Sequence, residues 1–324
     1  MKEIPDSTVT WLLEAPAPFT RYMAQRFFRP GEEWTGLLID DPMVRSLISS
    51  LADWDREVLK QHSKPDLGMH RLCLLADIGV TNEFGPIQQI IERILNTFNE
   101  NNIPLIKTLI PKAFRGSGEV EEAWILCDYP QILYSLLKMG VRNEKTLGAL
   151  AFLETTVREN GSPCLASLPG FRGPGPQSDF CPIASLYALK ALNQTAETRK
   201  SDAAGNARES LLNHWTERGA KKHFLFGIGT DYQKLKYPLI WYNLLHVLSV
   251  ISEGEADPGD LRVRGMAEVL LGKADDELRF TPESMYRCYT GQDFSDKKRP
   301  SPTLTLAALQ VLSALGYVNR QFLH

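Results

Sequence analysis

The stretch Tyr129-Pro130-Gln131-Ile132-Leu133-Tyr134-Ser135-Leu136-Leu137-Lys138-Met139-Gly140 decides the fold. It opens on a residue-proline pair, runs through an apolar segment and stops at a glycine. Proline in the first position of a helix costs no hydrogen bond, because that amide has no partner inside the helix. Glycine just past the last turn takes the left-handed conformation without a steric cost. The opening recurs at Cys181-Pro182, Tyr237-Pro238 and Ser301-Pro302, with successive prolines 52, 56 and 64 residues apart. The ending recurs too. Gly79-Val80-Thr81-Asn82-Glu83 and Gly140-Val141-Arg142-Asn143-Glu144 share one pattern, and Gly316-Tyr317-Val318-Asn319 echoes it. Counting back from Gly79 predicts a further helix over 69–78, without a proline.

These intervals exceed the periods of tetratricopeptide, ankyrin and HEAT arrays, so each unit holds two helices and a long loop. Amphipathic patterns place second helices near 42–61, 86–98, 144–158, 203–218 and 260–273, and a helical piece over 8–28 is interrupted around Pro16 and Pro18. Few runs alternate with period two, and no Asn-Gly or Asp-Gly turn joins two of them. The expected fold is all-α, an α/α toroid of five to six inner and outer helix pairs. It is expected as one domain over 1–324, with 1–40 as an amino-terminal helical extension. An open solenoid is the rival, but its last unit should show a polar outer face, and the helix expected over 301–315 is as apolar as the interior ones.

Composition bounds the partners. The 324 residues are 43% hydrophobic and 23% charged, enough to bury a sizeable core. A formal net charge of -3 argues against neutralising a nucleic-acid backbone, so no nucleic-acid partner is expected. The apolar run over 237–251 is short for a bilayer and carries Asn243 and His246, so no membrane span is expected. The amino terminus lacks the apolar core of a signal peptide. Five cysteines, an odd number, read as reduced thiols and point to the cytoplasm.

Aligning the four proline-marked segments separates two faces. One is apolar, with Leu136, Leu137, Ala188, Leu189, Leu192, Leu244, Leu245, Leu248, Leu309 and Leu312. The other carries Lys138, Lys190, His246 and Gln310, with Asn243 one turn before His246, and faces a wet lumen or an exposed end. If the inner helices are parallel, their amino ends meet at one rim and favour anions there. The loops before them supply Arg172, Lys221, Lys222, Lys234, Lys236, Lys297, Lys298 and Arg299. Tyr237, Trp241 and Tyr242 are the expected cavity walls. A basic rim over an aromatic interior suits an amphiphilic small molecule with an anionic head and an apolar tail. Solvated loop lysines are the simpler reading of the same charges.

At this point the chain resembles the superfamily of terpenoid cyclases and protein prenyltransferases, whose members are α/α toroids. The likeness runs from about Leu67 to the carboxyl end as repeat rhythm. Locally, Gly170-Phe171-Arg172-Gly173 through Asp179-Phe180-Cys181 is similar to the prenyltransferase stretch in which a glycine-rich loop precedes Asp-x-Cys. In that family the Asp and Cys bind zinc and a histidine on the next inner helix completes the set. The resemblance therefore implies Asp179 and Cys181 as metal ligands and catalytic candidates, with His246, three residues past the matching place, as a displaced third ligand, and the position of Cys164 or Cys127 offers a fourth. Asn243 occupies the place matching the family's histidine. A second resemblance is to an uncharacterised prokaryotic prenyltransferase-like family. It rests on Cys127-Asp128-Tyr129-Pro130, Phe226-Gly227-Ile228-Gly229-Thr230-Asp231, Lys234-Leu235-Lys236-Tyr237-Pro238 and Asp296-Lys297-Lys298, and implies the fold alone. No Asp-x-Asp-Asp acid motif occurs, so protonation-initiated cyclisation is not expected.

Gly227-Ile228-Gly229-Thr230 lacks the strand and third glycine of a dinucleotide site. His62, His70, His214 and His223 have no partner identifiable by spacing. The expected function is a prenyltransferase-like or terpene-cyclase-like toroid that binds an isoprenoid ligand, with transfer of the prenyl group as the implied reaction and zinc as the implied cofactor. The alternative is a non-catalytic toroid that binds a peptide or protein.

Overall fold

A computed structural model describes residues 1–31, 34–224 and 226–319. The chain divides into two compact units, one formed by 1–46 with 230–324 and the other by 47–229. The first unit opens with a two-residue strand β1 (Lys2–Glu3), then helices α1 (Asp6–Leu13), α2 (Pro18–Phe28) and α3 (Gly36–Ile39). Helix α4 (Pro42–Ser50) runs across the division. The second unit holds α5 (Gly68–Ile78), α6 (Gly85–Leu95), the strands β2 (Ile106–Leu109) and β3 (Val120–Ala123), α7 (Tyr129–Lys138), α8 (Glu144–Thr156), α9 (Pro182–Leu192), α10 (Ala196–Arg199) and α11 (Asp202–Thr216). The first unit resumes with α12 (Leu244–Glu253), α13 (Leu261–Leu271), α14 (Pro302–Ala314) and β4 (Val318–Asn319). No described helix is long and apolar enough to cross a membrane.

Burial alternates along the chain as the two-helix repeat requires. Every residue of α9 is buried, and so are most residues of α5, α7, α12 and α14. Their partners α6, α8 and α13 bury one stripe each; in α6 it is Ile87, Ile90, Ile91 and Ile94, the i, i+3, i+4, i+7 spacing of a single face. In the second unit α5, α7 and α9 pack side by side, and α11 covers α9. In the first unit α14 packs against α2, α12 and α13. The amino-terminal helices thus cover the apolar last helix, and hydroxyls of Thr20 and Thr303 meet at 2.7 Å between α2 and α14. Asp293 fastens the start of α14, accepting from the Thr303 amide at 2.9 Å and the Thr303 hydroxyl at 2.8 Å.

Three of the proline signals and all three glycine stops act as expected. Pro130, Pro182 and Pro302 stand in the first turns of α7, α9 and α14, and Gly79, Gly140 and Gly316 follow helices with φ of 107°, 90° and 78°. Tyr237-Pro238 does not start a helix. Its peptide bond is cis, and α12 begins at Leu244, where the Asn243 side chain accepts from the His246 amide at 3.0 Å. A residue before proline is held extended, which serves a turn as well as a helix start; the asparagine cap decides here. The helix expected over 42–61 stops at Ser50 and continues as a short 3₁₀ turn, 51–56. The two small sheets, β1 with β4 in parallel and β2 with β3 antiparallel, were not expected, since strands of two to four residues carry too little alternation to read.

Candidate active site

Where α5 begins, in the second unit, the chain folds back over the helix end and leaves a cavity of about 430 Å³. Its walls come from the 3₁₀ turn (Trp54, Asp55), Glu57, the end of α6 and its following loop (Asn96, Phe98, Asn99), and the β2–β3 pair (Lys107, Glu122). Backbone bonds place these parts: Leu59 donates to Lys107 at 2.8 Å and accepts from Leu109 at 2.9 Å, a single bridge that ties the segment before α5 to β2. Register sets Lys107 opposite Glu122. Lys107 Nζ donates to the Asp55 carbonyl at 2.6 Å.

Glu57 stands against the first turn of α5. Its Oε2 accepts from the Gly68 amide at 2.7 Å, where the first amides of α5 lack helical partners. Burial pushes the carboxyl above its ordinary value, against the pull of that amide and of Arg71. The approach at Gly68 is close: a Cβ there would stand 3.0 Å from Glu57 Oε2 and 3.2 Å from the Trp54 ring. The cavity therefore sets an acid held toward its protonated form beside an indole, a phenyl ring, two amides, two further carboxylates and one ammonium.

A second group stands at the start of α7. His62 Nδ1 is 2.7 Å from Asp128 Oδ1, and Cys127 Sγ is 3.6 Å from His62 Nδ1 and 3.9 Å from Asp128 Oδ2. Burial works against a charge on His62, but the Asp128 carboxylate and its hydrogen bond prevail and raise the imidazole above its ordinary value. Cys164 and Cys181 lie close enough to Cys127 and Asp128 to feel their charges. Burial pushes these two thiols to about 12 and about 11, and Cys127 well up.

Of the residues singled out from sequence, Cys164 and Cys181 lie in the second unit, outside the group of mutually close ligand atoms that His62, Cys127 and Asp128 form. Asp179, in the same unit, is half-buried with the Lys221 ammonium 4.0 Å away. His246 belongs to the first unit, fully buried in the first turn of α12, its Nδ1 3.1 Å from the Trp241 carbonyl. Arg172 is exposed, its amide donating to Phe114. Lys234 is paired with Asp231, and Lys236 lies over the Tyr286 ring at 3.5 Å, where burial pulls its ammonium below the ordinary value. Lys297 and Lys298 are exposed. Tyr237 and Tyr242 are core residues, and Trp241 is half-buried. The polar helix face does not hold as one face: Lys138 is exposed, whereas Lys190 is 3% exposed and paired with Asp77 at 3.1 Å. His62 and Asp128 were missed. His62 lies 65 residues from Cys127, and only the packing of α5 on α7 brings them together.

The sequence matches no protein-family model and no curated protein. Among solved structures the chain is similar to the unsaturated glucuronyl hydrolase of Bacillus sp. GL1, responsible for the degradation of glycosaminoglycan. The TM-score is 0.50 at 12% identity, over 92% of this chain and 84% of that one. A second structure, of a substituted UGL with dGlcA-Glc-Rha-Glc, gives 0.49 at 12% identity over the same shares. The likeness shows the fold, which is an α/α toroid. It also corrects the family and function expected from sequence. The toroid similar to this chain is that of a glycan hydrolase, so the repeat rhythm is no sign of a terpenoid cyclase or prenyltransferase. Isoprenoid binding, prenyl transfer, and the amphiphile or peptide partner are withdrawn with it.

Proposed function

We propose that this chain is a carbohydrate hydrolase whose site is the cavity at the start of α5. The observation that carries the reading is the lining itself: Trp54 and Phe98 beside Glu57, Asp55, Glu122, Asn96, Asn99 and Lys107. Sugars present C–H faces that lie on aromatic rings and hydroxyls that bond carboxylates and amides. Lys107 keeps two ammonium donors beyond its bond to Asp55, which suits a uronate carboxylate. The glycosaminoglycan substrate of the toroid hydrolase with the same fold agrees with an anionic saccharide.

In this reading Glu57 is the general acid. Its burial keeps more of the carboxyl protonated, and that proton passes to the glycosidic oxygen as the C–O bond breaks. Water supplies the new bond at the sugar carbon and gives its proton to Asp55 or Glu122. The cytoplasmic placement expected from the odd number of cysteines belongs to the same reading.

The test is incubation with glycosaminoglycan-derived oligosaccharides, with products followed by mass spectrometry. Wild-type protein cleaves one of them, and Glu57→Gln lowers turnover by about 10²–10⁴-fold while retaining saccharide binding. Absence of both cleavage and binding across uronate-containing oligosaccharides overturns the assignment.

A further inference from the structure

Apart from the cavity, three side chains with three different donor atoms meet at the start of α7. His62 precedes α5, and Cys127 and Asp128 are the two residues before α7. We propose that they form a zinc site in which His62 Nδ1, Cys127 Sγ and a carboxylate oxygen of Asp128 are the protein ligands and the fourth position is open to water. The inference does not depend on the saccharide reading.

The geometry is that of groups sharing an ion. Zinc bonds sulfur at about 2.3 Å and nitrogen or oxygen at about 2.0–2.2 Å, so in a tetrahedral site a sulfur stands about 3.6 Å from a nitrogen or oxygen ligand. Cys127 Sγ is 3.6 Å from His62 Nδ1 and 3.9 Å from Asp128 Oδ2, and the ligand atoms of the three residues all lie within 4.8 Å of one another. A nucleophilic thiol with a relay histidine is built differently: there the imidazole meets the thiol with one ring nitrogen and the carboxylate with the other. Here both the sulfur and Asp128 Oδ1, at 2.7 Å, converge on the single nitrogen Nδ1. The proton that Nδ1 shares with Oδ1 leaves as zinc enters, and the pair opens to the roughly 3.3 Å that two such ligands keep on one ion.

Charge and access agree with that ion. The Asp128 carboxylate has no exposure, Cys127 is buried, and the His62 side chain is 40% exposed. A buried carboxylate needs a counter-charge, and one thiolate with one carboxylate neutralises the double charge of zinc. Solvent reaches the group from the imidazole side, where the ion enters and its water stands. A sulfur donor beside nitrogen and oxygen selects zinc over the hard cations. The backbone behind each ligand is also held: His70 Nε2 in α5 donates to the His62 carbonyl at 2.7 Å, Gln131 Nε2 in α7 donates to the Cys127 carbonyl at 2.8 Å, and the Asp128 amide donates to the Ile125 carbonyl at 2.9 Å. Such outer contacts keep ligands in place for a metal.

The experiment uses the full chain in reductant, equilibrated with zinc and desalted. Elemental analysis is expected to find roughly one retained ion per chain. Cys127→Ser and His62→Gln are each expected to lower that content several-fold, and Cys288→Ser, at an exposed thiol, to leave it unchanged. Cobalt added to metal-stripped wild-type protein gives a reading independent of variant folding: the expected spectrum has a thiolate-to-cobalt charge-transfer band and the strong visible bands of a tetrahedral ion. Absence of the charge-transfer band from wild type overturns the site and leaves His62 and Asp128 as a hydrogen-bonded pair only. Survival of that band in Cys127→Ser, or zinc content unaffected by both Cys127→Ser and His62→Gln, overturns it as well.

Discussion

Lowering the pH should weaken the second unit through His214, and by an amount that the structure sets. The ring lies fully buried in α11, with Phe180 edge-on at 6.1 Å, His223 at 5.6 Å and Phe226 at 6.0 Å. Its Nε2 donates to the Phe226 carbonyl at 3.2 Å, a bond that favours the proton, while burial disfavours it and prevails. The charge of His223 adds to the depression, and Glu217, which pairs with His223 at 2.9 Å, opposes it. The result is a fall from 6.5 to about 4. Because the folded value is the lower one, the unfolded chain binds the extra proton first. The contribution is complete above pH 6.5 and is lost as pH falls through about 4. With 1.36 kcal/mol for each pKa unit, the loss is on the order of 2 kcal/mol by pH 5 and 3 kcal/mol by pH 4. Urea unfolding of wild type and His214→Gln at pH 7 and pH 5 measures it. The wild type should lose about 2 kcal/mol more than the variant over that interval. Equal losses would refute the reasoning.

Two further predictions concern packing. Lys190 is 3% exposed, pairs with Asp77 at 3.1 Å and stands 4.3 Å over the Tyr134 ring, so Lys190→Met leaves the Asp77 carboxylate without its cation, though still accepting from the Tyr134 hydroxyl, and should cost about 1.5–3 kcal/mol in unfolding free energy. Adding Asp77→Asn to that variant should recover much of the loss, and a double variant no more stable than Lys190→Met would sink the pairing argument. Gly161 has φ 109°, and a Cβ there would stand 2.6 Å from Ser210 Oγ and 2.8 Å from Ser185 Oγ. Gly161→Ala should therefore lower stability by about 1–3 kcal/mol, seen as a lower urea midpoint; an unchanged midpoint would show that the turn has room.

The alternation of fully buried helices with one-faced helices could be read from sequence, because both proline starts and glycine stops act through local backbone geometry. Gly79 and Gly140 end α5 and α7 at the expected places for that reason. Tyr237-Pro238 misled because an X-Pro pair fixes an extended residue before the proline and leaves the conformation after it open. The site was far less legible. Glu57, Phe98 and Glu122 belong to a 3₁₀ turn's flank, a loop and a four-residue strand, and only the folding of these over the end of α5 gives them a common cavity. His62 and Asp128 are joined by helix packing across 66 residues. Cys127, an expected ligand, does stand with His62 and Asp128, but Asp128 stands out in the sequence only as part of a motif. The isoprenoid reading failed because repeat rhythm reports how helices pack, and toroids of unrelated chemistry share that packing.

The most direct measurement is a crystal structure of Glu57→Gln soaked with a glycosaminoglycan-derived oligosaccharide. A sugar ring lying on Trp54, with the residue 57 amide within hydrogen-bond reach of the glycosidic oxygen and a uronate near Lys107, is the result expected here. A saccharide bound elsewhere on the chain, with the cavity at the start of α5 empty, would contradict the account.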